Sequence, residues 1–234
     1  MSKDREKRLT ALQEKLHYVF RNPDLLSTAL THRSYINENP QPGASDNERL
    51  EFLGDAVLGL CVSDLLMKKH ADSDEGTLSK IRSLLVNEKP LADLAVKLNL
   101  GECLLLGKGE ENSGGRAKES LLANALEAVI AAIYLDSGFS KTKTFLKQLM
   151  KPLLNDETLN LQCFDYKTAL QELCQRKYKS APLYTVLDSS GPDHDKTFEV
   201  EVVAGGDIRQ IGRGKNKKDA QKQAAQKAWE SLHE

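Results

Sequence analysis

Several features that would direct a reading elsewhere are scarce or missing from this chain. No apolar run reaches the ~18 to 20 residues of a membrane span, and the N-terminus, Met1-Ser-Lys-Asp-Arg-Glu-Lys-Arg, has mixed charge and no apolar core of an export signal. Neither insertion nor export is expected, and the expected setting is the cytoplasm. The four cysteines, Cys61, Cys103, Cys163 and Cys174, show no CxxC or zinc-finger spacing, which argues against a disulfide framework or a structural zinc. Charge of one sign is not in excess, with 33 Lys and Arg against 34 Asp and Glu. A uniformly basic nucleic-acid protein is therefore excluded, and any such binding must come from a local patch. The glycine-rich stretch Gly107 to Gly115 reads as a flexible loop and lacks the GK[ST] ending of a phosphate-binding loop. No serine or cysteine constellation for nucleophilic catalysis stands out.

What is there is a globular composition, 40% hydrophobic in 234 residues, enough for one large or two modest domains. The most informative stretch is Asn47-Glu48-Arg49-Leu50-Glu51-Phe52-Leu53-Gly54-Asp55. At about 100° per residue Glu48, Glu51 and Asp55 share one helix face, while Leu50, Leu53, Val57, Leu60 and Cys61 collect on the other side. A solvated acidic face is the simplest meaning of such a triplet. Phe52 and Leu58 border it, however, and suggest partial cover, and Gly54 costs roughly 1 kcal/mol against alanine in a helix interior, which makes sense if a backbone or ligand must come close. Carboxylates crowded where water is partly excluded repel one another unless a cation neutralises them. Hard oxygen donors of this kind suit Mg²⁺ or Mn²⁺.

In chain order, the signals from Arg8 to about Met150 are helical, with no convincing strand. A first amphipathic helix is expected over Leu12 to Phe20, and a second opens at Asp24 and carries Ala29 to Tyr35. His32 reads as a structural histidine bonded to a helix end. The helix of the acidic motif should run to about His70, and the next from Thr77 to Val86, with Glu75 either a first-turn acid favoured by the dipole or a neighbour of the acidic face. From Leu121 to Leu135 the only strongly polar side chains are Asn124 and Glu127, on one face of a helix that is apolar nearly all round and so buried. A buried carboxylate needs a partner. Glu127 either pairs with a lysine or arginine or completes the acid cluster.

After Lys151-Pro152 the texture changes. Leu153 to Gln162 reads as a linker, Asp165 to Lys177 as an amphipathic helix, Tyr184 to Leu187, Phe198 to Val203 and Ile208 to Gly212 as strands, and Lys217 to Leu232 as a closing helix. From Arg209 to Lys222 six basic residues stand against one acid, Asp219. Lys217 and Lys218 fall where the last helix begins, so ammonium groups and backbone N–H groups both favour a phosphate.

These residues carry a resemblance. The run at 47 to 55 resembles the signature motif of the ribonuclease III family, and Thr31-His32-Arg33-Ser34 and Asp74-Glu75-Gly76 resemble its neighbouring motifs. Gly212-Arg-Gly-Lys-Asn-Lys-Lys-Asp-Ala220, followed by Ala224-Ala225, resembles the C-terminal motif of double-stranded RNA-binding domains, with Asn216 where serine is common. The resemblance implies an all-α endonuclease domain over 5–150, a linker over 151–163 and a small α-β-β-β-α RNA-binding domain over 164–234. It implies that Glu51, Asn124 and Glu127 bind Mg²⁺, with Mn²⁺ a substitute, that Asp55 and Glu127 are the catalytic acids, and that Glu48 and Glu75 line the cleavage valley. Asn124 is a departure, since the family typically has Asp there. Thr168, Gln171 and Glu172 would meet one minor groove of duplex RNA, His194 the next, and Lys215, Lys217 and Lys218 the phosphates between. Also implied are a homodimer with Phe52 at the subunit contact, staggered products with 5′-phosphate and 3′-hydroxyl ends, and ribosomal RNA precursors and other structured transcripts as substrates.

Overall fold

Helix dominates the first two thirds of the chain because its apolar residues recur at helical spacing and few glycines or prolines interrupt them. The computed structural model describes residues 3–40, 42–71, 73–155, 166–192 and 196–232, and it divides into two compact units, Met1–Gln162 and Cys163–Glu234. The first contains helices α1 (Lys3–Leu16), α2 (Pro23–Ala29), α3 (Arg33–Glu38), α4 (Glu48–Lys69), α5 (Glu75–Leu85), α6 (Glu88–Leu98), α7 (Leu100–Cys103), α8 (Lys108–Asn112), α9 (Glu119–Ser137), α10 (Phe139–Leu149) and α11 (Lys151–Leu154). Its centre is α9, whose Leu122, Ala125, Leu126, Ala128, Val129 and Ile130 are buried and whose main neighbours are α4 and α6. This helix is, by length and composition, long and apolar enough to cross a membrane. Asn124 and Glu127 interrupt it, so it holds no unbroken apolar run of that length, and more than half of its apolar window is buried inside the unit. Here it is the core of the unit.

The expected second helix is broken in two. Leu30 leaves the helical conformation, and Thr31 forms an isolated parallel bridge with Leu105. His32 N–H donates to Leu105 O at 3.0 Å, and Leu105 N–H to Leu30 O at 2.8 Å. The chain restarts at α3 with His32 as its N-cap, the ring Nδ1 accepting from Ser34 N–H. Asn47, 4% exposed, ties the start of α4 to the same segment: its N–H donates to Thr31 O at 2.9 Å and its amide to Ala29 O at 3.4 Å. The first helix also departs from expectation, starting at Lys3 and ending at Leu16, where His17 turns the backbone left-handed (φ 49°).

The stretch expected as a flexible loop, Gly107 to Gly115, contains α8 and is pinned. Ser34 Oγ accepts from Gly107 N–H at 2.8 Å, Glu38 accepts from Lys108 N–H at 2.8 Å, and Arg116 and Lys118 pair with Glu111 and Glu110. Partners far away in sequence order it, which local composition does not reveal.

The second unit has helix α12 (Tyr166–Tyr178), strands β1 (Leu183–Ser190), β2 (Thr197–Ala204) and β3 (Ile208–Gly214), and helix α13 (Lys217–Ser231). The strands form one antiparallel sheet in the order β1-β2-β3. Strand β1 extends past its expected end because a register shift between Val186 and Asp188 lets pairing with β2 continue. The core gathers Tyr166, Leu170, Cys174, Val202, Ala204, Ala224, Ala225 and Ala228. Gly212 lets α13 lie directly on β3, since an added Cβ would strike the backbone at Ala220 and Ala224. Cys61, Cys103 and Cys174 are free and buried; Cys163 lies outside the described residues.

Candidate active site and RNA-binding surface

The chemistry of the first unit follows from how closely α4 and α9 cross. Gly54 faces the backbone of Glu127, and a Cβ built on it would collide with the Glu127 carbonyl. Any other residue would push the helices apart. The close approach brings the half-buried Glu127 beside Glu51 and Asp55.

The electrostatics record that proximity. The Glu127 carboxyl is pushed up to about 7, first by burial and then by the charges of Asp55 and Glu51. Glu51 is also raised, by burial and by Glu48, and is pulled back by a hydrogen bond from the Asn124 side chain. Among the described residues no lysine or arginine pairs with Glu127; the groups that act on it are both acids. Like charges held together in a partly dry site call for a cation. The donors present, two carboxylates and an amide oxygen, fit a hard divalent ion such as Mg²⁺, which keeps waters and takes phosphate oxygens at its remaining positions. Among the described residues no three His, Cys, Asp or Glu groups are already gathered as a cage for a metal, and an ion held by one or two carboxylates does not need one.

The other expected positions are placed as follows. Glu48 sits in the first turn of α4 and forms an ion pair with Arg33 at 2.9 Å. Glu75 opens α5 and accepts from Ser79 Oγ at 2.8 Å; it is not among the groups acting on Glu51 or Glu127. Phe52 projects from α4 with 82% of its surface exposed, whereas Leu58, expected beside it at the border of the acids, is fully buried in the core. An expected partial cover over the acidic face is thus not supplied by Leu58. Arg33 went unremarked in the sequence as a partner for Glu48, although it lies within the Thr31-His32-Arg33-Ser34 motif; the bond depends on the tether between Asn47 and Thr31.

In the second unit Thr168, Gln171 and Glu172 lie along one side of α12 and line, with Gln175, Arg176 and Lys179, a shallow concavity of about 600 Å³. Lys217 and Lys218 are exposed in the first turn of α13, and Lys215 is exposed just before it. Asn216 caps that helix, accepting from Asp219 N–H at 2.9 Å and donating to Asp219 Oδ2 at 2.7 Å, so an asparagine performs the capping for which serine is common. His194 lies outside the described residues.

A helical domain with carboxylates crowded at a helix crossing, joined to a sheet-and-helix domain with a basic helix start, defines a nuclease that acts on duplex RNA. Comparison with known proteins gives the same class. The family described as Ribonuclease-III-like matches residues 22–153 and the Double-stranded RNA binding motif matches residues 166–232. Ribonuclease 3 of Syntrophobacter fumaroxidans is 53% identical over 228 residues, covering 96% of this chain and 94% of that protein. Ribonuclease 3 of Geobacter sulfurreducens is 44% identical over 221 residues, covering 94% and 89%. The crystal structure of the nuclease domain of ribonuclease III from Campylobacter jejuni is 46% identical, with a TM-score of 0.58, and covers 63% of this chain and 96% of that one. The chain belongs to the ribonuclease III family and is a double-strand-specific endoribonuclease.

Proposed function

We propose that Glu51, Asn124 and Glu127 hold a divalent metal, Mg²⁺ in the cell and replaceable by Mn²⁺, and that Asp55 and Glu127 are the catalytic acids of phosphodiester hydrolysis. The observation that carries this reading is the Glu127 carboxyl, raised to about 7 first by burial and then by the charges of Asp55 and Glu51, with no cationic side chain of the described residues to relieve it. When bound, the metal would lower the pKa of a water and stabilise charge on the departing oxygen. Glu127 and Asp55 orient the attacking water and accept its proton; Glu51 and Asn124 supply oxygen donors from opposite helices. The Gly54 crossing keeps the two sets in register. Glu48 and Glu75 are proposed to line the valley in which the duplex lies. The bond that breaks is that between phosphorus and the 3′ oxygen, leaving 3′-hydroxyl and 5′-phosphate ends.

Thr168, Gln171 and Glu172 are proposed to meet a minor groove and Lys215, Lys217 and Lys218 the phosphates, with His194 in the second minor groove. Such contacts read A-form shape and 2′-hydroxyls. The exposed Phe52 supports a homodimer contact through α4, so that two sites each cut one strand and leave staggered ends. A solved nuclease domain of ribonuclease III from Campylobacter jejuni, 47% identical to this chain with a TM-score of 0.56, is described as having a flexible region involved in dimer formation. Ribosomal RNA precursors, with messenger and transfer RNA transcripts, are the proposed substrates, and the cytoplasm the proposed setting.

The test is cleavage of a perfectly paired RNA duplex with Mg²⁺, with chelator and with Glu127→Gln. Metal-dependent cutting lost in the variant is expected. Tight binding without cutting at any Mg²⁺ or Mn²⁺ concentration would instead make the chain an RNA-binding regulator, a reading that Asn124 in place of the family's Asp specifically favours.

A further inference from the structure

The catalytic acids carry the same sign of charge as the phosphates they must approach, so the nuclease unit needs cations of its own near the path of the RNA. They are concentrated at one place. From Ser137 to Asn155 the chain has four lysines, Lys141, Lys143, Lys147 and Lys151, and no acid, apart from its start beside Asp136. Where α10 and α11 meet the end of α4 a groove of about 630 Å³ is lined by Lys68, Lys69, Lys147 and Lys151, with Leu65 and Leu154 in its floor. Lys143, outside the lining, is tied to it only through Asp64, which it shares with Lys68. Among the described residues the one acid here is Asp64, shared by Lys68 at 3.1 Å and Lys143 at 2.6 Å. The Lys69 ammonium donates to Leu154 O and Asn155 Oδ1, which are neutral and leave its charge uncompensated. Lys147 and Lys151 are exposed, with no ion pair to a described residue. Among the described residues five lysines thus face one aspartate; Asp156 and Glu157, next in the sequence, lie outside the described residues.

The groove is set in line with the active site by α4 itself. Asp55 and Lys69 are fourteen residues apart, about 21 Å along the helix at 1.5 Å per residue and ~40° apart around it at 100° per residue. Lys69 therefore falls on the same side of α4 as Glu51 and Asp55, while Lys68 lies about 140° round from Asp55 and Lys147 and Lys151 reach the groove from α10 and α11. We propose that this groove is a second contact of the nuclease unit for the phosphate backbone of duplex RNA, engaging the strand about 21 Å from the cleavage site and anchoring duplexes that extend beyond it. This rests on the ribonuclease reading above. An acidic protein segment is the competing occupant; duplex RNA is favoured because the same chain carries a double-stranded RNA binding motif, and because lysines without paired acids suit phosphates regardless of sequence.

The experiment uses the full chain with Glu127→Gln to hold RNA uncut, and measures binding of a labelled duplex of about 30 base pairs, roughly twice the ~16 spanned by one RNA-binding domain, across a range of salt. Lys147→Gln with Lys151→Gln should flatten the slope of log K against log salt by about 1.5, at 0.7 to 0.9 per phosphate lost, and weaken binding several-fold. The control Lys7→Gln with Lys97→Gln removes equal charge elsewhere on the unit and should leave the slope near that of the parent. Unchanged slope and affinity on this duplex, or equal losses in the control, would overturn the proposal. So would displacement of poly-glutamate, but not RNA, from the groove, which would assign it to an acidic protein. If the parent chain binds no duplex and the wild type cuts none, the ribonuclease reading itself fails.

Discussion

At the scale of single residues the active site is held in an unfavourable state until something positive enters it. Glu127 has its carboxyl raised to about 7 by burial, Asp55 and Glu51, so the folded protein binds a proton there that the unfolded chain, with an ordinary glutamate, releases at lower pH. Stability of the metal-free protein should therefore fall as pH rises from about 4.5 to about 7 through this group. Glu127→Gln removes the charge and keeps the shape. In chelator at pH 8 it should melt a few degrees above wild type, at about 2–4 °C per kcal/mol for a chain of this size, while losing cleavage. Calorimetry at pH 5 and pH 8 checks both the sign and the variant, and a variant that melts with wild type at pH 8 would sink the argument. Asn124 makes the complementary case. Its amide lowers the repulsion on Glu51 but brings no charge to a metal. Asn124→Asp should melt lower without metal and reach half-maximal activity at a lower Mg²⁺ concentration. Identical metal midpoints for the two proteins would show that the amide costs the site nothing.

At the scale of elements the site is a property of one helix pair. An added Cβ at Gly54 meets the backbone of Glu127 rather than a movable side chain, so Gly54→Ala must separate α4 from α9. Overpacking of this kind costs about 1–3 kcal/mol, outweighing the roughly 1 kcal/mol gained in helix propensity. Urea unfolding should show that loss, and kcat should fall with it because Glu127 moves relative to Glu51 and Asp55. The acids of α4 and the pair on α9 were legible in the sequence because both follow helical periodicity, and Gly54 already pointed to a close backbone. The break between α2 and α3 and the ordering of 107–118 were not. They depend on Leu105 pairing with Thr31 and on Ser34 and Glu38 accepting backbone N–H groups some seventy residues away, and no local pattern announces such partners. Strand β1 was visible only in part, since its continuation past Val186 relies on a register shift against β2. His32 was legible as a structural residue because a histidine just before a helix can cap it, and the ring does so.

At the scale of the whole molecule, chemistry and recognition occupy different units: the crowded acids lie within Met1–Gln162, and the basic helix start of α13 within Cys163–Glu234. Ending the chain after Asn155 should therefore leave the acids in place and remove the contacts proposed for Lys215, Lys217 and Lys218. Binding loses the phosphate contacts of the second unit but the transition state keeps its donors, so the loss should fall mainly on KM, with kcat at saturating duplex kept within an order of magnitude. The salt dependence should change as well. Three phosphate contacts at 0.7 to 0.9 each predict that the slope of log K against log salt flattens by about 2 to 3. Single-turnover cleavage by both chains, across duplex concentration at several salt concentrations, measures the two effects together. A truncated chain that binds as the intact one does, with the same slope, would place duplex recognition in the helical unit, whereas a collapse of kcat at saturation would mean that the second unit also helps to position the scissile strand over Glu51, Asp55 and Glu127.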